Sequence, residues 1–291
     1  MTVTGIGTVV SGPGPGGTAV DPVPFLKNRK SRKYMGLQDE LAVTAAGRAL
    51  ESAGLTRPLG DRTGLYLVVG YIPFLSSDID ALVAASARDG KFSMEAFSTT
   101  GPAVVNPLLT FRVLPNMPAY HVSANFDLTG PYSVSYPGPA QVYLALAEAL
   151  EALETRRVDV ALVGGVAHQR NFLVAHHFRR IAWPVPEERL TDAAGILVLE
   201  READARARGA PDRARLLGSE ISYRPHDPFR APPEPSESFV LAGRALDAPG
   251  EVGAGSLPVM LGAALSAGGG EFAHELKTRD GFHATSHWRL P

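Results

Sequence analysis

A chain of 291 residues with a formal net charge of −2 is long enough to bury a sizeable core, as one large α/β unit or as two domains, and offers no electrostatic case for binding nucleic acid. It contains no cysteine, which excludes a disulfide framework, thiolate metal ligands and a thiol nucleophile at any position. No stretch reaches the roughly 18 apolar residues of a membrane span, and the N-terminus has no charged segment leading into an apolar core, so a cytoplasmic location is expected.

Thr2 to Val10 is a β-branched run that ends in Ser11-Gly12-Pro13-Gly14-Pro15-Gly16-Gly17, the pattern of a first buried strand leaving into a loop. The prolines of that loop remove N–H donors and no helix follows at once, which argues against a phosphate cradle. The basic run Lys27 to Lys33 reads as a solvated loop or as a docking patch for an acidic partner. From Asp39 to Ala53, apolar residues at Leu41, Ala45, Ala49 and Leu50, with Ala46 and Ala53 filling the face and Gly54 as a stop, predict an amphipathic helix. Arg62 to Gly70, RTGLYLVVG, is a second buried strand.

Asn106 to Asn116, NPLLTFRVLPN, is apolar and proline-bounded, and reads first as ordinary core. A strand around Val134 precedes a helix from Gln141 to Leu153, and Val158 to Val166 is a buried strand with a Gly-Gly end. Thr191 to Glu200 is the next strand, followed by a charged segment from Ala203 to Ala210. Tyr223 to Ser238 holds HDPFRAPPEPSES, a proline-rich crossing without periodicity and the best boundary in the chain. Beyond it one helix, Leu257 to Leu265, and one strand, Phe282 to Leu290, are legible. Alternating strands and helices predict an α/β core with mainly parallel strands.

Few residues suggest chemistry on their own. His176-His177 and the pair His283 and His287 lack a third ligand of suitable spacing, and the second pair shares one face of a strand, so no metal is assigned. Ser135 lies near a strand-to-helix turn, but Ser133 and Pro137 stand where a nucleophile elbow needs glycines, because that turn is too tight for a Cβ. Tyr136 and Gln141 are polar neighbours of the same turn, suited to packing and hydrogen bonding or to a residual binding role.

Residues 130 to 165, GPYSVSYPGPAQVYLALAEALEALETRRVDVALVGG, resemble the strand, nucleophile turn, helix and strand of a β-ketoacyl synthase. Counted forward from Gly130-Pro131 and backward from Gly164-Gly165, Pro139 stands where that family keeps its catalytic cysteine. Proline supplies neither a nucleophile nor a backbone N–H for an oxyanion. The family's H-G-T-G-T motif has no counterpart, and its G-H-x-x-G-A-x-G motif survives only as Gly250-Glu251-Val252-Gly253-Ala254-Gly255, one residue short and with Glu251 in the histidine's place. A carboxylate there repels an enolate.

The resemblance covers residues 1 to 218 well and the rest thinly. It implies a thiolase-like layered αβαβα fold of the α/β class with the second half shortened. The halves divide as 1–222, a crossing at 223–238, and a truncated 239–291 completing the same domain. The implied function is that of a non-catalytic chain length factor. It pairs with an active ketosynthase as a heterodimer and shapes the acyl pocket in type II polyketide, and specifically polyene, biosynthesis, with no cofactor.

In the family the segment near Asn106 to Leu114 crosses the dimer interface and lines the end of the acyl pocket, which makes Leu108, Leu109, Phe111 and Arg112 candidates to set chain length. Val134, Tyr136, Phe126 and Leu128 are expected at the interface, and the basic run becomes a landing patch for the acyl carrier protein or its phosphopantetheine arm. The alternative is a stand-alone acyltransferase or hydrolase on a remodelled scaffold, using Ser135, His121 or His168.

Overall fold

The computed structural model describes residues 1–11, 18–181, 185–225 and 233–291; the glycine- and proline-rich loop at 12–17 and the heart of the proline-rich crossing lie outside them. The chain begins with β1 (Thr2–Ser11), α1 (Leu37–Ala53) and β2 (Thr63–Val69). A long excursion follows, carrying α2 (Ser76–Ala85), the small hairpin β3 (Ala87–Arg88) and β4 (Lys91–Phe92), and the helices α3 (Met94–Thr99), α4 (Gly101–Val104), α5 (Leu109–Val113) and α6 (Met117–Phe126). Then come β5 (Tyr132–Ser135), α7 (Gln141–Glu154), β6 (Val160–Ala167), α8 (Phe172–Arg180), β7 (Asp192–Glu200) and α9 (Glu202–Ala207). The last part is β8 (Ala214–Tyr223), β9 (Ser236–Leu241), β10 (Arg244–Ala245), α10 (Ser256–Ala267), β11 (Gly270–Lys277) and β12 (Phe282–Leu290).

Ten strands form one sheet in the order β10-β9-β11-β12-β8-β1-β7-β6-β2-β5. The mainly parallel sheet expected from the alternation is corrected here. Only β2 pairs in parallel, with β5 and with β6; β7 runs antiparallel between β6 and β1, and every pairing from β8 onwards is antiparallel. β9 with β10 and β11 with β12 are joined as hairpins, and a tight turn can connect only antiparallel neighbours.

The two faces of the first-half strands bury different clusters. Leu65, Leu67 and Val69 of β2 point to the side of α1 and α6, whereas Tyr66 and Val68 point to α7 and α10, the alternation that a strand buried on both faces imposes. Gly5 and Gly7 let α1 press onto β1, since a Cβ at either would lie 2.1 or 2.0 Å from a carbonyl oxygen of Ala49 or Ala45.

On their far side, α7 and α10 pack against Phe239, Phe272, Ala284 and Trp288 of the later strands. The one sheet therefore covers α7 and α10 from two sides, its first-half strands on one and its later strands on the other, with α1 and α6 outside the first half. In β12, Ala284, Ser286 and Trp288 are buried while His283, His287 and Arg289 are exposed. Facing pairs such as Glu275 with His283 (3.1 Å) solvate that outer face. An antiparallel sheet accepts water on one side. His283 and His287 stand on one strand face as the sequence predicts.

Candidate functional site

A cavity of about 840 Å³ opens where the parallel strands β2 and β6 end, the place where open α/β sheets hold ligands. Tyr71 enters it just past β2, Gln169 just past β6, and His177 and Phe178 from α8. Pro139, Ala140 and Gln141 come from the turn into α7, and the far wall is Glu237 and Phe239 of β9 with Glu251 and Leu276. The two positions singled out by sequence, Pro139 and Glu251, are 112 residues apart in the chain and line the same cavity.

Glycines make this approach possible. A Cβ on Gly165 would lie 1.9 Å from the Ala254 carbonyl oxygen, so Gly165 of β6 is what lets the turn carrying Glu251 settle on the sheet, while one on Gly164 would lie equally close to the Gly195 carbonyl oxygen of the neighbouring β7. Gly253 within that turn has φ +55° and donates its N–H to Glu251 Oε1 at 3.1 Å. Gln169 Nε2 donates to the same oxygen at 3.3 Å. Burial, reinforced by the nearby Glu237 carboxylate, pushes the Glu251 carboxyl up to about 7, so it holds its proton far longer than a free glutamate.

Tyr71 and His177 form a second polar feature, with the phenol oxygen 2.9 Å from Nδ1. Burial, with Tyr136 and Asp280 adding to it, pushes the Tyr71 phenol up to about 12, so its O–H is the donor; burial also lowers the affinity of His177 for a proton. The Tyr136 ring meets Tyr71 edge-on at 5.8 Å, while Gln141, with its amide nitrogen towards the carbonyls, donates to Pro137 and Gly138 at 3.2 and 3.0 Å. Gln141 thus secures the turn itself. Among the described residues no serine or threonine hydroxyl of the lining is hydrogen-bonded to a histidine; the polar groups of the cavity are carboxyl, amide, phenol, imidazole, hydroxyl and cationic side chains.

The residues of the alternative enzyme reading are not gathered. Ser135, His121 and His168 do not line this cavity. His121 is buried beside Asp39, Nε2 to Oδ2 3.9 Å, and His168 beside Asp192 at 4.0 Å. Leu108, Leu109, Phe111 and Arg112 also lie elsewhere: Leu109 is buried, Leu108 and Phe111 are exposed, Phe111 meets the Tyr34 ring at 6.2 Å, and Arg112 bonds Asp78 at 3.2 Å. Phe126 and Leu128, expected at a surface, are buried in the cluster around α1, because α6 turns its apolar side to α1 and Phe126 packs near Phe25. Val134 is half-buried on the edge strand β5 and Tyr136 is exposed just beyond it.

The family model for the β-ketoacyl synthase N-terminal domain matches residues 8–205. The chain belongs to the β-ketoacyl synthase family. A spectinabilin polyketide synthase system protein, NorC of Streptomyces orinoci, is 26% identical over 238 residues, 75% of this chain. The chain spans only 10% of that relative's length. Among solved structures, a type II acyl carrier protein in complex with its ketosynthase bound to a hexaketide contains a chain similar over 100% of this one and 99% of its own length, with TM-score 0.66 and 15% identity. The ishigamide ketosynthase/chain length factor gives TM-score 0.59 at 22% identity, over 79% of this chain and 64% of its own. A β-ketoacyl synthase from Burkholderia phymatum gives 0.59 at 19%, over 76% and 64%. At these identities the likeness establishes the thiolase-like ketosynthase fold.

The sequence reading missed Tyr71 and Gln169, and weighed His177 only as a metal ligand. The signal existed: Tyr71 and Gln169 follow directly on strand ends, and in a sheet of this kind those positions face the ligand crevice. It also missed a buried network behind the cavity, in which Tyr143 OH lies 2.7 Å from His274 Nδ1 and 3.0 Å from Ser286 Oγ, Trp288 Nε1 donates to Ser286 at 2.9 Å, and His274 Nε2 lies 2.9 Å from Glu237.

Proposed function

We propose that this chain is a non-catalytic, ketosynthase-like subunit, a chain length factor, that pairs with an active ketosynthase and shapes its acyl pocket in type II polyketide synthesis, with linear polyene chains as the product class. The observation that carries the reading is the turn into α7, where Pro139 lines the cavity of a family member that has no cysteine. Glu251 opposite it suits neither thioester polarisation nor enolate stabilisation.

Assembly is supported from the other side of the sheet. β5 ends the sheet with a bare edge, and the excursion before it exposes Phe92, Met94 and Phe111, while Tyr132 on β5 itself is 71% exposed. A bare edge strand and exposed apolar side chains are each a liability unless a partner covers them. In the basic run, Lys27 pairs with Asp127, Arg32 with Glu40, and the Lys33 ammonium lies over the Tyr34 ring at 4.7 Å, which leaves Arg29 and Lys30 free among the described residues to receive an acidic carrier protein.

Chain length is the test. In a reconstituted pair, Leu109→Ala or Phe111→Ala should lengthen the product by one or more two-carbon units, because the space opened is filled by methylenes worth about 0.8 kcal/mol each, and Leu109→Trp should shorten it at similar turnover. An unchanged length distribution in all three, with the complex intact, contradicts the role.

A further inference from the structure

The cavity at Pro139 has lost the means to take a thioester, yet it has not collapsed. At about 840 Å³ it has the size and the mixed lining of a small-molecule site. We infer that it binds an amphipathic amine, with the ammonium group at Glu251 and the apolar body along Val174, Phe178, Phe239, Leu246 and Leu276.

The sign of the ligand follows from the carboxylates. Glu251 and Glu237 both line the cavity. Glu251 Oε1 is held by the Gly253 N–H and the Gln169 amide, which fixes the group in place, and among the described residues no donor reaches its other oxygen. Of the lining cations, Lys277 is exposed and tied to Glu275 at 2.8 Å, and Arg189 is exposed and acts on Glu251 only at long range, while Glu237 is paired with His274 at 2.9 Å. Burial, with the Glu237 charge adding to it and Arg189 opposing it, is why the Glu251 carboxyl titrates near 7. An ammonium supplies the missing charge and a charge-assisted hydrogen bond, whereas a carboxylate ligand adds a third negative charge to a partly desolvated space.

The remaining polar groups suit such a head. The Tyr71–His177 pair is neutral and already satisfied, so it neither repels a cation nor demands a partner. The body of the ligand finds side chains from α8, β9 and β11 with the loop after β10. The inference concerns this chain alone and stands whether or not a partner subunit binds.

Three six-carbon probes decide it: hexylamine, hexanol and hexanoate, titrated calorimetrically into the full-length protein at pH 7.5. Hexylamine should bind at least tenfold more tightly than hexanol, and hexanoate more weakly than either. Glu251→Gln, which keeps the shape and removes the charge, should bring hexylamine to the level of hexanol and leave hexanol unchanged, so hexanol reports that the cavity is intact. Glu251→Asp should keep the preference for the amine. Equal affinities for amine and carboxylate, an amine preference untouched by Glu251→Gln, or no binding of any probe by the folded protein would each overturn the proposal.

Discussion

The two regions to which the family resemblance assigns roles are built in opposite ways. The cavity side, formed by α7, α10 and the C-terminal strands, is closed behind by Tyr143, His274, Ser286 and Trp288, all buried and hydrogen-bonded to one another. The edge side, formed by β5 and the excursion that leads to it, leaves Phe92 and Met94 each 66% exposed and Tyr132 71% exposed. A closed interior behind a cavity supports the binding reading, and exposed apolar side chains support assembly.

The contrast is broken most strongly from the inside. Trp288→Ala removes a fully buried indole that also holds Ser286, and should cost about 3 to 5 kcal/mol of stability, read from urea unfolding. A loss below about 1 kcal/mol would mean that the C-terminal strands are not part of the same core. The edge should respond the other way. Tyr132→Glu and Phe111→Asp should change the stability of the isolated chain by no more than about 0.5 kcal/mol, yet weaken pairing with the ketosynthase about a hundredfold, or 2.7 kcal/mol, measured by titration of the two subunits. Undiminished pairing would remove this face from the interface.

The smallest expected effect is a pH slope at the N-terminus of α1. Burial, more than the adjacent Glu40 charge, pushes the Asp39 carboxyl up to about 8, against the opposing Gly36 N–H bond, so the folded chain keeps a proton that the unfolded chain has released, and stability falls as pH rises through this range. Buried His121 is pushed down to about 4; its unfolded form binds the extra proton, so its contribution rises with pH up to about 6.5 and offsets Asp39 there. Between pH 6.5 and 8 the His121 contribution is spent; Glu251, titrating near 7, adds a loss in the lower part of the interval, and the Asp39 contribution is worth about 2 kcal/mol at 1.36 kcal/mol per unit. Wild type should lose about 2 kcal/mol more across the interval than Asp39→Asn; equal losses for the two proteins in urea unfolding would contradict the assignment.

Much of this contrast was legible before the structure. The helix at α1, the strand at β12 and the helix at α7 follow from periodicity and from Gly54 as a stop, because each buries an unambiguous face. The nucleophile turn was legible as a resemblance, and the absent cysteine as a plain count. The sheet direction was not, since hairpin connections among the C-terminal strands carry little pattern. Nor was the burial of Phe126 and Leu128, which depends on where α6 docks, or the role of His274. Its place between Phe272 and Leu276 at period two marks it as inward-facing, but its partners Tyr143 and Glu237 are 131 and 37 residues away, and no local pattern supplies them.

The central claim, a subunit that assembles but does not carry the acyl chain, is tested most directly by native mass spectrometry of the co-expressed pair after incubation with an acyl thioester donor. The account predicts a one-to-one complex in which the ketosynthase gains the mass of the acyl group and this chain gains none. A covalent acyl adduct on this chain, or its elution as a monodisperse monomer without the ketosynthase, would contradict it.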